Sequence, residues 1–552
     1  MPAWIVIVAG VVCLISAALP AATTEPASAP TQKLKLSGVF GEGMVLQQGM
    51  SVPVWGWAQA DAQVTVAIAG QSQQATADAN GRWMVRLDAL QAGGPFELTV
   101  SAVQAGSGQP AKVLTLRDVL VGEVWLCSGQ SNMQWAVEDL KNGKAEVAAA
   151  DFPRIRLYGV PCKAFDEPQD NCNGKWAVCS PQTIHRFSAA GYLFGRELHQ
   201  TLGVPIGLIN ASWGGTSAEA WTSRLTLEDD ADFAQSFENY KKALAAWDAN
   251  AAQARYKSEL AEWEVKAAAA KAEEKPIPYK PSLASGPIGI PGPSQLYNGM
   301  IAPLMPMAIR GAIWYQGESN MDRPDLYARL LSAMIFNWRT DWDEGDFSFG
   351  IVQLPNYQEI RKKPTDTNWA RLREAQFQAS RSVNNAGLAV TIDVGEADNI
   401  HPSDKVSVAH RLALWALART YGKDVVYSGP IFKSMDRQDG RIVLHFDHVD
   451  GGLVAKDSEE LKGFAIAGAD QKFVWADAKI DGDTVVVSSE KVSDPVAVRY
   501  AWANNPVCNL YNKALLPACP FRTDDWPMPV KKPKMPKTAP ATQPTTATSQ
   551  GT

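Results

Sequence analysis

Between residues 119 and 422, short apolar runs of strand character take turns with stretches of helical spacing. "VLVGEVWLCSGQ", "PIGLINAS", "RGAIWYQGES", "FSFGIVQLP" and "NAGLAVTIDVG" read as buried strands. "SAAGYLFGRELHQTL", "DLYARLLSAMIFNWRTDW" and "SDKVSVAHRLALWALARTYG" read as helices. Continuously apolar strands separated by helices imply an α/β layer with a parallel sheet, covered on both faces. In such sheets a ligand sits beyond the carboxyl ends of the strands. Ser131, Gly214, Gln316 and His401 each fall just after one of these runs.

The flanks follow a different pattern. From Leu34 to about Arg117, runs such as "SVPVWGWA" and "GRWMVRLDAL" alternate apolar and polar residues between Gly, Asp and Asn, which predicts a small antiparallel β-sandwich. The same alternation returns near Val425 ("RIVLHFDHV", "DTVVVSS"), predicting a second β-module. The expected division is a leader at 1–22, a β-sandwich at 34–117 and an α/β domain in two parts, 118–225 and 283–424. An Ala-, Glu- and Lys-rich helix or helical hairpin at 226–282 interrupts that domain, a β-module occupies 425–523, and 527–552 is a Pro- and Thr-rich tail expected to be disordered.

A net charge of -6 over 552 residues gives no support for nucleic-acid or anionic-membrane binding. The apolar run from Ile5 to Leu19, followed by small residues, resembles a secretory signal cleaved near Ala22, although no Lys or Arg precedes it. That run is short against the roughly 20 residues a membrane span needs, and Val12 before Cys13 argues against lipoprotein processing. The mature protein is therefore expected to be exported, periplasmic or secreted, with no membrane partner. Six cysteines remain: Cys127, Cys162, Cys172, Cys179, Cys508 and Cys519. An even count in an exported chain favours disulfides, with Cys508–Cys519 and a bridge among Cys162, Cys172 and Cys179 as local pairs. Their spacing does not match a zinc ribbon. Nineteen tryptophans point either to large cores or to a surface on which sugar rings stack.

The chemistry concentrates in four loops. Ser131 in "SGQSN" follows a strand at a sharp turn, where a following helix would aim free N–H groups at the site. This is not the G-x-S-x-G elbow, because position 133 is Met. In "EADNIHPSDK", His401 has Asp398 at i−3, a spacing that lets a carboxylate turn back to the imidazole. Gly214 and Gly215 in "WGGTSAEAW" allow close backbone approach to a ligand. "WYQGESN" offers Gln316, Glu318 and Asn320 after another strand, the two amides being rival donors for an oxyanion or caps of a following helix.

Together, "GEVWLCSGQSNMQW", "WGGTSAEAW", "WYQGESN" and "NIHP" resemble the sialate O-acetylesterase group of the SGNH hydrolase superfamily. The later strings "LKGFAIAG", "VAVRYAWANNP" and "NLYNKALLPACPFRTD" extend the resemblance over nearly the whole mature chain. It implies an SGNH-type three-layer α/β domain, with Ser131 as nucleophile and His401 as general base. The implied oxyanion hole is made by Ser131, Gly215 (Gly214 less so) and Gln316, and Asp398, with Asp393 as fallback, is the acid. No metal or organic cofactor is implied.

The expected reaction is hydrolysis of O-acetyl esters on oligo- or polysaccharide, with plant cell-wall xyloglucan or xylan set against O-acetyl sialate. No cationic cluster for a sialate carboxylate stands out, although Arg371 or Arg373 could serve. A non-catalytic glycan-binding protein, and an esterase of lipids or thioesters, are the competing readings.

Overall fold

The computed structural model describes residues 33–104, 111–273, 280–281 and 291–527. The leader at 1–22 and nearly all of the tail lie outside them.

In the N-terminal module, strands Lys35–Leu36, Val52–Trp57 and Arg82–Leu87 form one antiparallel sheet. Ala62–Ile68 pairs with both Gln71–Thr76 and Gly93–Gln104 in a second. Strict alternation sets the faces: along Arg82–Leu87, Trp83, Val85 and Leu87 point into the core while the residues between them are exposed.

The boundary between this module and the α/β domain runs through a single strand. β1 (Lys112–Gly129) pairs antiparallel with Gly93–Gln104 over its first half, then continues as the central strand of the parallel sheet. Every residue from Val119 onward is buried, as a strand covered on both faces must be. The rest of the sheet comprises β2 (Phe152–Gly159), β3 (Trp176–Cys179), β4 (Ile206–Ser212), β5 (Gly311–Tyr315), β6 (Ser348–Val352) and β7 (Ala386–Ala389), in the order β3-β2-β4-β1-β5-β6-β7. Only β3 runs antiparallel to its neighbour. The winding changes side at β1, so the crevice at its carboxyl end is the topological switch point. Register aligns the three strand ends there: Gly129 lies opposite both Ser212 and Tyr315.

Helices cover both faces. α1 (Ser131–Gln134) is a single turn after β1, and α2 (Ala189–Leu202) opens on Ser188, whose side chain accepts from the Gly191 N–H. The insertion contains α3 (Ala231–Ala245) and α4 (Ala249–Ala272), and α4 buries none of its residues. α5 (Pro324–Trp342), α6 (Asn368–Ser382) and α7 (Lys405–Arg419) complete the domain. α2 and α7 share one core, through Tyr192, Phe194, Val408 and Leu412, and α5 and α6 another, through Leu330, Trp338 and Leu372. Each such buried side chain contributes about 1.5–3 kcal/mol.

The C-terminal module has two antiparallel four-stranded sheets around Leu444, Ile466, Val487 and Val498, and a two-stranded ribbon of Leu453–Ala455 with Leu510–Asn512. Arg373 of α6 fastens it to the α/β domain. Its buried guanidinium donates to the carbonyls of Leu354 (2.8 Å) and Pro355 (2.9 Å) on one side, and of Ala503 and Asn504 (both 2.7 Å) on the other.

One expectation is corrected. All six described cysteines are free thiols, so neither a Cys508–Cys519 bridge nor one among Cys162, Cys172 and Cys179 is formed. Several are placed as small core residues instead: Cys127 lies under α2, and Cys172 packs its sulfur 3.2 Å from the Tyr158 hydroxyl. Ten of the eighteen described tryptophans are buried, so the core reading of their number holds for most of them, while Trp475 is 43% exposed.

Candidate active site

Gly129 ends β1 at φ +135°, where a Cβ would stand 2.2 Å from the Tyr315 carbonyl oxygen. Only glycine lets β1 and β5 come this close and lets the chain turn at once. The Gln130 N–H donates back to Tyr315 O (3.0 Å), and its carbonyl accepts from the N–H groups of Met133 and Gln134 (both 2.9 Å), which winds α1. Ser131 is thereby the first helical residue, and its own N–H has no acceptor within the helix.

His401 comes from the loop between β7 and α7. Its Nε2 lies 2.8 Å from Ser131 Oγ, although 270 residues separate them in sequence. Asn399 shapes that loop: its side-chain oxygen accepts from the His401 N–H (2.9 Å), and its amide donates to the His401 carbonyl (2.7 Å). The Trp135 ring stacks on the imidazole with centroids 5.3 Å apart. Burial, with help from Lys405, pulls the His401 pKa down from 6.5 to about 4, so the imidazole is neutral at ordinary pH. The tautomer with its proton on Nδ1 leaves Nε2 to take the serine proton.

Gly214 packs on the same turn: a Cβ there would lie 3.2 Å from Ser131 Cβ. Its N–H is already committed to Gln134 Oε1 (2.8 Å). Gly215 follows at φ +75°, a left-handed position suited to glycine.

The other expected site residues lie around this pair. Asp398, three residues before His401 on the same loop, is exposed. The loop turns on the Asn399 amide, which takes the backbone contacts and leaves its neighbour facing solvent. Asp393 is held by Arg411 (2.6 and 2.8 Å) and by the Tyr511 hydroxyl (2.8 Å). Gln316 is fully buried, and both its amide hydrogens are spent, on Thr216 O (3.1 Å) and Asn320 Oδ1 (2.7 Å). Its oxygen accepts from Tyr327 (2.6 Å). Asn320 is occupied too, donating to Glu219 (2.9 Å) and accepting from the Ala218 N–H (2.9 Å). Both amides are engaged by neighbours within the protein.

Sequence reasoning passed over a buried network beside the Ser131–His401 pair. Asn132 donates to Glu318 Oε1 (2.5 Å) and to Ile400 O (3.1 Å), and accepts from the Lys405 ammonium (2.7 Å). The signal was present: a lysine as first residue of a helix opposes the positive end of the helix dipole. Among the described residues no cluster of His, Cys, Asp and Glu could hold a metal ion, and no helix is long and apolar enough to cross a membrane.

A family model for carbohydrate esterases, described as sialic acid-specific acetylesterases, matches residues 285–417, the stretch that carries Glu318, His401 and Lys405. The sialate O-acetylesterase of Mus musculus is 32% identical over 528 residues, spanning 87% of this chain and 92% of its own. The chain belongs to the sialate O-acetylesterase family. The family's Homo sapiens sialate O-acetylesterase is 31% identical over 88% of this chain and 92% of its own length. A solved carbohydrate acetylesterase from Xanthomonas citri superposes with a TM-score of 0.74 at 37% identity, covering 89% of this chain and 100% of that one. Sialate O-acetylesterases and carbohydrate acetylesterases are carboxylic ester hydrolases, and this chain shares their α/β architecture.

Proposed function

We propose that this member of the sialate O-acetylesterase family is an SGNH-type serine esterase that removes O-acetyl groups from carbohydrate. The observation that carries the reading is the 2.8 Å contact between Ser131 Oγ and a neutral His401 Nε2 at the switch point of the sheet. Ser131 attacks the acetyl carbonyl carbon while His401 accepts its proton. The developing oxyanion faces the backbone N–H groups of Ser131 and Gly215, the residues that remain for the hole once Gln316 is committed elsewhere. Each such donor is worth on the order of 10²–10³ in turnover. His401 then protonates the departing sugar oxygen, and water releases acetate by the same steps in reverse roles.

The substrate we favour is an acetylated plant cell-wall polysaccharide, xyloglucan or xylan, met outside the cytoplasm after removal of the leader at 1–22. Supporting it, Arg371 is paired with Asp325, and Arg373 is consumed by four carbonyls, so neither is offered to a sialate carboxylate. The names of the mammalian relatives favour the second reading, a sialate 9-O-acetylesterase.

Labelling with a fluorophosphonate, followed by peptide mapping, tests the chemistry: modification of Ser131, lost in Ser131→Ala, is expected. An unlabelled Ser131 beside tight polysaccharide binding would leave a glycan-binding protein. Acetate release compared among acetylated xyloglucan, acetylated xylan and O-acetyl sialate decides the substrate.

A further inference from the structure

Lys405 is fully buried, and its ammonium donates to Asn132 Oδ1 at 2.7 Å and to the Pro402 carbonyl at 2.6 Å. Asn132 is the chain neighbour of Ser131, and Pro402 that of His401. Asn132 also donates to Ile400 O on the other side of the histidine, at 3.1 Å. One ammonium and one amide therefore stitch the serine turn to the histidine loop on both flanks of His401. Sealing an ammonium from water costs several kcal/mol, and an apolar residue of similar volume would stabilise the fold at least as well. Stability alone does not account for a lysine here.

We propose that Lys405 is a positioning residue for acetyl transfer, holding the histidine loop on the serine turn through Asn132 and Pro402. The inference rests on the esterase reading above. A second effect is electrostatic. The groups facing the ammonium are Glu318 from the loop after β5, Glu396 from the loop after β7, Asp404 beside it, His401, and the rings of Trp135 (5.6 Å) and Tyr315 (5.5 Å). A positive charge near the imidazole opposes its protonation, so the base stays neutral into acidic solution. Burial brings Lys405 itself down to about 7, so below that pH it carries its charge.

The test is the pH dependence of kcat and kcat/KM for acetate release from acetylated xylan by wild type and Lys405→Met. The acid limb of kcat/KM reports the free enzyme's base. Removing the ammonium is expected to move that limb upward by about one pH unit, and to lower kcat at least about tenfold with KM nearly unchanged, because the pair loses its alignment. Either readout left at its wild-type value in a folded variant overturns the inference. Should circular dichroism show that Lys405→Met does not fold, Glu318→Gln decides. Its side-chain oxygen still accepts from Asn132 while the countercharge is gone, so the limb is expected to move to lower pH, and an unmoved limb overturns the inference. Fluorophosphonate labelling of wild-type Ser131 separates the two claims. An unlabelled wild type sinks the esterase reading, whereas a labelled one with unaltered Lys405→Met kinetics sinks only the role of Lys405.

Discussion

Replacing Gln316 by methionine distinguishes a catalytic amide from an architectural one. The two side chains have similar length, so the change removes hydrogen bonds with little loss of packing. Three bonds go: the donations to Thr216 O and Asn320 Oδ1, and the acceptance from Tyr327. Asn320 Oδ1 keeps the Ala218 N–H, and the Tyr327 hydroxyl keeps the Gln316 carbonyl, so each of these loses about 1 kcal/mol. The Thr216 carbonyl loses this donor inside a buried layer, costing about 1–3 kcal/mol. The sum is roughly 3–5 kcal/mol of stability, read as a lower melting temperature. In the cold, where the variant stays folded, kcat is expected within about tenfold of wild type, because no oxyanion donor has been removed. A melting temperature that does not move, with kcat down by about 10² or more, would show that Gln316 serves the oxyanion and that its bonds rearrange when substrate binds.

Asp398→Ala tests the acid that the resemblance implies: a loss near 10⁴ in kcat is expected, and a value within about tenfold of wild type would refute that role; steady-state kinetics on an aryl acetate decide. Gly129→Ala forces a Cβ to 2.2 Å from Tyr315 O and is expected to cost about 3 kcal/mol or more, measured by thermal melting. A wild-type melt would disprove the close approach of β1 and β5. Arg373→Met abandons four carbonyls at the module junction. It is expected to lower stability by several kcal/mol while leaving the ratio of xylan to sialate turnover alone; a selective loss of sialate turnover would contradict this. The depressed pKa of His401 carries a stability signature as well. The unfolded chain binds a proton near pH 6.5 and the folded one near 4, so this contribution is complete above 6.5 and lost as pH falls towards 4. Melting temperatures of His401→Asn should decline less across that window than those of wild type.

The α/β layer was legible because its strands are unbroken apolar runs. β4 and β5 fall inside "PIGLINAS" and "RGAIWYQGES", and their ends, level with that of β1, put Ser131, Gly214 and Gln316 on one rim. β2 was missed because "FPRIRLYG" opens on Phe-Pro and carries two arginines. One of these, Arg156, is buried against Asp118, a long-range pairing that no local window reveals. α6 was missed because "NWARLREAQFQASRS" is polar, yet Arg373 and Gln376 point inward to satisfy carbonyls. At the site, Ser131 and His401 were readable from loop positions after strands. The fate of the polar side chains was not. Whether an amide such as Gln316 faces substrate or the interior depends on partners as distant as Thr216, 100 residues away, and the part Asn399 plays in shaping the His401 loop through its own side chain is not marked by spacing.

β1 has a practical consequence. At about 3.3 Å per residue, its eighteen residues extend some 55 Å, hydrogen-bonded to a sandwich at one end and carrying the Ser131 turn at the other. Trimming the chain to a minimal hydrolase would mean cutting a load-carrying beam midway and exposing apolar edges on both stumps. Directed evolution or domain shuffling that exchanges the amino-terminal sandwich should therefore graft it together with the strand through Gly129, as one inseparable cassette.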